Sequence, residues 1–236
     1  MLTVYTLHYD ESDEDVLQWI NHCEKFADEL VIVHTKTNKF YGKKGSKLRE
    51  FYIQQNEMKY SNGWRQSYHR NEALRQSRGN HILQLDMDER INIGWLELAE
   101  KYIRLYPDLA AFGMKIINYW DNMDTVRVNK HWYPCWQYRL IKNDHRIQYK
   151  RGARHLRLLV TPDIRNLKQE VGNLPWCLEG GIESCIHHLK YTKPIPIING
   201  FMRCNQTDSR PEDMNRNLLV KSFVERFGSE TKIAFF

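Results

Sequence analysis

The chain has 236 residues, with 35 Lys and Arg against 29 Asp and Glu for a net charge of +6, and 42% of its residues are hydrophobic. This composition indicates a globular protein of one large domain, or one domain with a lobe attached, and excludes a disordered, coiled-coil or collagen-like chain. No apolar run of about 18 residues occurs and the acidic amino-terminal stretch is unlike a signal peptide, so we expect a cytoplasmic protein without a membrane span. Five cysteines without a Cys-x-x-Cys pair fit reduced thiols.

The first half of the chain alternates predicted strands and helices. Apolar and β-branched runs predict strands at residues 2–7, 30–34, 50–55, 81–86 and 109–118. Apolar residues at helical spacing predict helices that begin after the capping residue Ser12 and that cover 64–78 and 94–106. We expect Gly79 to end the second helix in a left-handed conformation. This alternation predicts an α/β fold with a mostly parallel central sheet flanked by helices.

The pattern changes after about residue 120. Aromatic and basic residues mix, and short strands are predicted at 136–142 and 154–160. We expect a smaller carboxyl-terminal lobe with antiparallel character. A last helix is predicted over 210–227, because Ser209 and Glu212 form a capping box and Gly228 follows its end.

Charge is distributed unevenly along the chain. Residues 1–30 carry a net charge of −7, whereas residues 127–170 carry +8. A basic segment attracts phosphate groups, whether of a nucleotide, a nucleic acid or a lipid surface. A solvated, salt-bridged surface would show the same composition, so charge alone does not choose among these functions.

An acidic cluster follows the fourth predicted strand. Asp86 and Asp88 are two residues apart, and Glu89 comes directly after them. Ligands of open parallel sheets bind beyond the carboxyl ends of the strands. Two neighbouring carboxylates repel each other, and a bound Mg²⁺ or Mn²⁺ relieves that repulsion while sharing oxygen ligands with a diphosphate. A polar loop whose acids cap the next helix is the alternative interpretation.

The segment around these acids resembles the central motif of family 2 glycosyltransferases. Residues 70–89 read R-N-E-A-L-R-Q-S-R-G-N-H-I-L-Q-L-D-M-D-E, and the family pattern is R-N-x-A-L-x-x-A-x-G-x-W-I-L-x-L-D-x-D-E. The opening strand–helix–strand is also similar, so the likeness covers about residues 1–120. It implies a Rossmann-like, A-type glycosyltransferase fold, a nucleotide-diphosphate sugar donor and a Mg²⁺ or Mn²⁺ ion. Together with the change of pattern after residue 120 and the predicted last helix, it implies a nucleotide-sugar-binding region at 1–120, an acceptor-side lobe at 121–200 and a helical segment at 201–236.

The resemblance also assigns roles to single residues. Asp88 corresponds to the metal ligand, Asp86 to the acid that contacts ribose or the metal, and Arg70 to the arginine near the nucleotide base. The main chain of the first strand's end meets the nucleotide in this family, at Leu7, His8 and Tyr9. The second strand usually ends in an aspartate that holds the base or ribose, whereas this chain has His34 there. An imidazole can still hydrogen-bond a base, although not with the geometry of a carboxylate.

Weaker similarity extends into the second half. Residues 152–155 and 186–191 are similar to the family's G-x-V-H-E turn and I-x-H-Y-K-Y stretch, which makes His155 and His188 candidate ligands of the metal or diphosphate. Leu156 replaces the acid of the first of these motifs. An inverting enzyme, which the resemblance favours, needs a general base, and the candidates are Glu89 and Glu179, with Glu170 and Glu183 as alternatives.

The leading hypothesis is a metal-dependent, hexosyltransferase-like glycosyltransferase. Its acceptor is open among a saccharide, a lipid-linked saccharide, a protein and a nucleic acid. One alternative is a nucleic-acid-binding protein without catalysis, which the basic segment and its aromatic residues favour. Two further alternatives are a glycosyltransferase whose acceptor is a modified DNA base, and a degenerate member that binds nucleotide without turnover.

Overall fold

The structure is a computed structural model. It describes residues 1–9, 11–36, 39–42, 45–53, 66–120, 122–127, 135–149, 158–160, 185–191, 197–198, 201–202 and 217–219. The chain divides into two compact units. Unit 1 comprises Met1–Met87, Tyr106–Phe112 and Tyr138–Trp176, and unit 2 comprises Asp88–Leu105, Gly113–Gln137 and Cys177–Phe236. The three regions that the resemblance implies stay a prediction.

Strands outnumber helices among the described residues. The strands are β1 (Leu2–His8), β2 (Glu29–His34), β3 (Leu48–Tyr52), β4 (His81–Gln84), β5 (Glu89–Arg90), β6 (Ala111–Trp120), β7 (Asn122–Arg127), β8 (Cys135–Lys142), β9 (Ile147–Tyr149), β10 (Leu158–Val160), β11 (Ile186–Tyr191), β12 (Ile197–Ile198), β13 (Phe201–Met202) and β14 (Asn217–Leu219). The helices are α1 (Asp13–Cys23), α2 (Gln66–Gln76) and α3 (Ile93–Leu105).

Unit 1 is built on a sheet with the order β3-β2-β1-β4-β8. The pairs β1–β2, β1–β4 and β2–β3 are parallel, and β8 pairs with β4 in the antiparallel direction. The register aligns His8 with His34, so that β1 and β2 end side by side. The predicted α/β class with a mostly parallel sheet and flanking helices is confirmed.

Helix α1 begins as the sequence predicts. The Ser12 side chain accepts a hydrogen bond from the Asp15 backbone N–H, and three acids occupy the first turn, where they favour the positive end of the helix dipole. The apolar side of α1 is buried through Val16, Trp19, Ile20 and Cys23. Trp19 also donates its indole N–H to the carbonyl of Leu85 at 3.0 Å, which ties the helix to the chain just after β4.

The core of unit 1 joins the sheet to α2 and to the β8–β9 region. Its members are buried residues from several elements: Tyr5, Leu7, Val31, Val33, Ala73, Leu74, Ile82, Ala110, Ala111, Ile141, Ile147 and Tyr149. Complete burial of one such aliphatic side chain contributes roughly 1.5–3 kcal/mol. This packing fixes the strands whose carboxyl ends carry the predicted site residues.

Gly79 does not adopt the predicted left-handed conformation, which among the described glycines only Gly45 shows, with φ +85°. Gly79 instead allows a close approach to β1. A Cβ atom on it would lie 2.6 Å from the backbone nitrogen of Thr3 and 2.7 Å from its hydroxyl oxygen. The backbone N–H of Gly79 donates to that hydroxyl at 2.8 Å. Glycine is therefore needed at position 79 because a side chain would not fit against Thr3, and not because of its φ angle.

Unit 2 contains α3 and strands with mixed pairing. Strand β11 pairs with β5 in the antiparallel direction and with β6 in the parallel direction. Strand β7 pairs antiparallel with both β6 and β14. Helix α3 coincides with the helix predicted over 94–106, and its Trp95 and Ala99 are buried. No helix in the described part of the chain is long and apolar enough to cross a membrane.

The predicted last helix over 210–227 is wrong at residues 217–219, which form β14. Leu218 faces Val126 in the register of β14 with β7. Hydrogen bonding to this long-range partner outweighs the local helix signals, whose free-energy contributions are small. The other residues of the predicted helix lie outside the described residues, as do residues 154–157 of the strand predicted at 154–160, while 158–160 form β10.

We predict that Gly79→Ala destabilises the protein more than Gly45→Ala. The Cβ at position 79 would meet backbone atoms that cannot move aside, and overpacking of this kind costs about 3 kcal/mol. At position 45 nothing lies within 4 Å of the new Cβ, so only the left-handed φ opposes it, at about 1 kcal/mol. Urea unfolding of both variants measures the difference, and a Gly79→Ala cost no larger than that of Gly45→Ala would contradict the close approach.

Candidate functional site

Two histidines face each other at the carboxyl ends of β1 and β2 in unit 1. The Nδ1 atoms of His8 and His34 are 2.8 Å apart, and the side chains are 3% and 0% exposed. The Nε2 atom of His8 lies 3.2 Å from the carbonyl oxygen of Glu11, and the Nε2 atom of His34 lies 2.9 Å from a carboxylate oxygen of Glu50. All four ring nitrogens therefore have a hydrogen-bonding partner.

The partners of the two Nε2 atoms only accept hydrogen bonds, since one is a backbone carbonyl and the other a carboxylate. The His8 and His34 rings are therefore held at both ends by groups within unit 1.

Glu50 is held in its ionised form. Burial raises the pKa of this carboxyl, but hydrogen bonds from His34 and from the backbone N–H groups of Tyr41 and Gly42 outweigh that effect and keep the pKa below its usual value. The Tyr41 ring also stacks on His34, with centroids 6.1 Å apart. His34 was predicted to contact the nucleotide, yet both of its ring nitrogens are engaged inside the protein.

The main chain that was predicted to meet the nucleotide is also hydrogen-bonded within unit 1. The carbonyl of His8 accepts from the backbone N–H of Thr35 at 2.9 Å and from its hydroxyl at 3.0 Å. The N–H of Tyr9 donates to a carboxylate oxygen of Glu11 at 2.8 Å. Leu7 is 6% exposed and lies in register with Val33. The predicted nucleotide contact of these three residues stays a prediction.

Asp86 is held by two arginines just beyond the end of β4. One carboxylate oxygen accepts from Arg70 at 3.0 Å, and the other accepts from Arg139 at 3.3 Å. The two arginine side chains are 6% and 5% exposed, whereas that of Asp86 is 33% exposed. Two buried guanidinium groups therefore compensate the charge of this carboxylate. The sequence suggested that a bound cation relieves the repulsion between Asp86 and Asp88. Asp86 does not need a cation for this reason, because the two guanidinium groups already compensate its charge.

A chain of hydrogen-bonded polar side chains leads from Tyr5 on β1 to Asp86. The hydroxyl of Tyr5 donates to that of Tyr149 at 3.0 Å, and Tyr149 donates to the side-chain oxygen of Gln84 at 2.8 Å. The amide nitrogen of Gln84 lies 3.3 Å from Asp86. Burial alone would lower the pKa of Arg70. The charge of Asp86 and the hydroxyls of Tyr5 and Tyr149 raise this pKa by more than burial lowers it, so the guanidinium stays charged.

In unit 2, Asp88 lies beside His188. The Nε2 atom of His188 is 3.4 Å from a carboxylate oxygen of Asp88, and the two side chains are 18% and 25% exposed. The other ring nitrogen, Nδ1, lies 2.6 Å from the side-chain oxygen of Asn118. Strand pairing produces this contact, because the backbone N–H of Leu189 donates to the carbonyl of Asp88 at 2.8 Å. The structure thus brings together two predicted ligands that are separated by about a hundred residues of chain.

Asp88 and His188 form a donor set that fits Mg²⁺ or Mn²⁺. No group of three or more His, Cys, Asp and Glu suited to a metal occurs among the described residues, and within them Asp88 and His188 would supply one carboxylate oxygen and one imidazole nitrogen. Mg²⁺ is commonly held by one or two carboxylates together with substrate phosphates and waters. A separation of 3.4 Å is long for an N–H···O hydrogen bond, and close to the roughly 3 Å between adjacent ligands of an octahedral ion at 2.1 Å.

Of the candidate general bases, the structure describes only Glu89. Glu89 is 2% exposed in β5, where its register partner is His188, so its carboxyl is not open to solvent. Glu179 and the candidate ligand His155 lie outside the described residues, as do the alternative bases Glu170 and Glu183. The role of each stays a prediction.

Three basic residues of the +8 segment are engaged within unit 1. Arg139 is bonded to Asp86, Arg146 pairs with Asp144 at 2.5 Å, and Lys142 donates to a backbone carbonyl at 2.9 Å. Each of these three side chains is therefore already bonded to a group within unit 1. In the part of the chain that the structure describes, these residues do not strengthen the nucleic-acid alternative.

Sequence reasoning missed three residues of these sites. Arg139 lies in the strand predicted at 136–142, and only the fold brings its guanidinium to Asp86. Glu50 and Asn118 carry no motif at all, and each is significant only through the histidine that it contacts. A signal for Glu50 existed in principle, since a buried histidine at the end of a strand needs a hydrogen-bonding partner on the next one.

Comparisons with known proteins give limited similarity. No family model matches the sequence, and no curated protein matches it. Among solved structures, a crystal structure of S. aureus TarS is similar with a TM-score of 0.33 and 23% identity, over 49% of this chain and 21% of that one. S. aureus TarS 1–349 in complex with UDP-GlcNAc is similar with a TM-score of 0.34 and 23% identity, over 49% and 33%. TarS 1–349 alone gives a TM-score of 0.35 and 21% identity, over 52% and 36%. This chain therefore spans only a fifth to about a third of the TarS chains, and a likeness of this size does not identify a function.

We predict that Glu50→Gln removes a pH-dependent contribution to stability. The pKa of Glu50 is lower in the folded protein than the roughly 4.3 of an unfolded Glu. Its contribution to the free energy of unfolding is therefore complete above that pH and is lost as the pH falls through the folded-state pKa. At pH 7 the variant should be less stable by about 1–3 kcal/mol.

Urea unfolding between pH 7 and pH 3.5 measures this effect. The difference between wild type and Glu50→Gln should narrow below about pH 4.3. Glu97→Gln, on an exposed position of α3, serves as the control and should lower the free energy of unfolding at pH 7 far less than Glu50→Gln does. A Glu50→Gln difference that stays constant across the range would contradict the ionised Glu50.

Proposed function

We propose that this chain is a metal-dependent glycosyltransferase that moves a sugar from a nucleotide-diphosphate sugar to an acceptor hydroxyl. The observation that carries the proposal is the 3.4 Å approach of His188 to Asp88, the acid that matches the metal ligand of the family 2 motif. Asp88 belongs to the 70–89 motif and His188 to a separate stretch of weaker similarity, and strand pairing brings their side chains together.

The exposure of the pair suits a ligand that is shared with a substrate. Both side chains are largely buried but keep an open fraction, so a cation there would still be reached by a diphosphate. A bound Mg²⁺ or Mn²⁺ would neutralise the charge that develops on the leaving diphosphate. The protein's own contribution is to hold one carboxylate and one imidazole in place by strand pairing, before any donor arrives.

Asp86 and its arginines are proposed to serve the nucleotide rather than the cation. Both oxygens of Asp86 accept from guanidinium groups, and its side chain remains one-third exposed. A carboxylate oxygen has capacity for a second hydrogen bond, so Asp86 can still accept one from a ribose hydroxyl. The two buried guanidinium groups beside Asp86 also favour an anionic ligand over a free cation.

In the transfer step, the acceptor oxygen bonds to the anomeric carbon while the bond from that carbon to the diphosphate breaks. The proton of the acceptor hydroxyl passes to a general base, for which Glu179 and Glu89 are the proposed candidates. The nucleoside diphosphate leaves with the bonding electron pair. Inversion at the anomeric carbon and transfer of a hexose are the outcomes that the family resemblance favours.

We predict that a nucleotide sugar raises the melting temperature of the protein only when Mn²⁺ is present. A panel of uridine, guanosine, thymidine and cytidine sugar donors, each tested with and without Mn²⁺, identifies the donor. Asp88→Asn should abolish the rise, because an amide binds Mn²⁺ far more weakly than a carboxylate. Asp108→Asn, on an exposed turn, is the matched control and should behave as wild type.

Release of nucleoside diphosphate from the donor provides the chemical measurement. We expect Mn²⁺-dependent release by wild type and by Asp108→Asn, and at least a hundredfold slower release by Asp88→Asn, since one electrostatic group of this kind is worth about 10²–10³ in rate. The absence of any donor-dependent shift would count against the proposal. Donor binding without release would favour the alternative of a nucleotide-binding protein without turnover.

A further inference from the structure

The orientation of the His188 ring is set by a neighbour on β6. His188 and Asn118 are register partners in the parallel pairing of β11 with β6. The side-chain oxygen of Asn118 lies 2.6 Å from Nδ1 of His188, and Asn118 is 3% exposed. The contact is short and partly buried, and it joins side chains at paired positions of two neighbouring strands. It is therefore built into the sheet.

We propose that Asn118 is a positioning residue that keeps the hydrogen of the His188 ring on Nδ1. The proposal rests on the proposed function, because it concerns the cation site of Asp88 and His188. An amide oxygen only accepts hydrogen bonds, so the ring nitrogen that faces it must donate. A neutral imidazole has one donor nitrogen and one acceptor nitrogen, so Nε2 then presents a lone pair on the side of Asp88.

The opposite orientation of the amide would have the opposite effect. If the NH₂ group of Asn118 faced the ring, Nδ1 would accept and the hydrogen would lie on Nε2. His188 would then donate a hydrogen bond to Asp88, so the two side chains would not direct lone pairs at a cation between them. The 3.4 Å between Nε2 and the Asp88 oxygen is longer than such a hydrogen bond normally is. The geometry is that of a histidine prepared for a cation by a hydrogen bond from its second nitrogen.

Neighbouring contacts keep the two strands in this register. The hydroxyl of Tyr119 lies 2.8 Å from Nδ1 of His187, and the two rings stack with centroids 5.8 Å apart. His187 is 0% exposed. This second pair provides a matched control, because it joins the same two strands one residue away and involves a histidine other than the proposed ligand.

The test is the affinity of the full-length protein for Mn²⁺ alone, measured by titration calorimetry. Asn118→Leu should weaken binding by about 10–100-fold, the usual effect of removing such a partner from a metal-binding histidine. Asn118→Asp keeps an oxygen acceptor at the same place and should bind Mn²⁺ as tightly as wild type or more tightly. Tyr119→Phe removes the neighbouring contact and should change the affinity less than threefold.

The tautomer is measured separately by nitrogen-detected NMR of the histidine rings in the metal-free wild-type protein. The His188 hydrogen should be on Nδ1, and finding it on Nε2 would overturn the proposal even if Asn118→Leu failed to fold. Equal Mn²⁺ affinity in wild type and folded Asn118→Leu would overturn the role of Asn118 alone. No binding of Mn²⁺ by wild type would overturn the proposed function, and this inference with it.

Discussion

The account depends on the pairing of β11 with β5 and β6. This pairing places His188 opposite Glu89 on one side and opposite Asn118 on the other, so the imidazole has one fixed position in unit 2. The backbone hydrogen bond from Leu189 to Asp88 then fixes the acid relative to it. Pairing of segments that are distant in the chain costs conformational entropy. The interactions that offset this cost form only when the strands are complete. The site is therefore as stable as the sheet that forms it.

The two acids of the motif differ in the charges around them. Asp86 in unit 1 accepts hydrogen bonds from two buried guanidinium groups, whereas Asp88 in unit 2 lies beside the imidazole of His188. A carboxylate compensated by two cations suits a hydroxyl donor, and one beside an imidazole that can act as a ligand suits a divalent cation. Environment, rather than residue type, thus separates the proposed roles.

Local patterns predicted the strands and helices of the first half well, because buried strands and an amphipathic helix each have a period that the sequence shows directly. The same patterns misjudged Gly79, whose role depends on the proximity of Thr3, and residues 217–219, whose partner is β7. Asp86, Asp88 and His188 could be selected by motif. Arg139 and Asn118 could not, since their roles arise from contacts with residues that are distant in the chain.

The most direct test is a crystal structure of the full-length protein grown with Mn²⁺, with diffraction data collected at a wavelength where manganese scatters anomalously. The account predicts one strong anomalous peak about 2.1–2.3 Å from a carboxylate oxygen of Asp88 and from Nε2 of His188, with no protein ligand from Asp86. A peak bound to other residues, or a hydrogen-bonded Asp88 and His188 without a peak at saturating Mn²⁺, would contradict it.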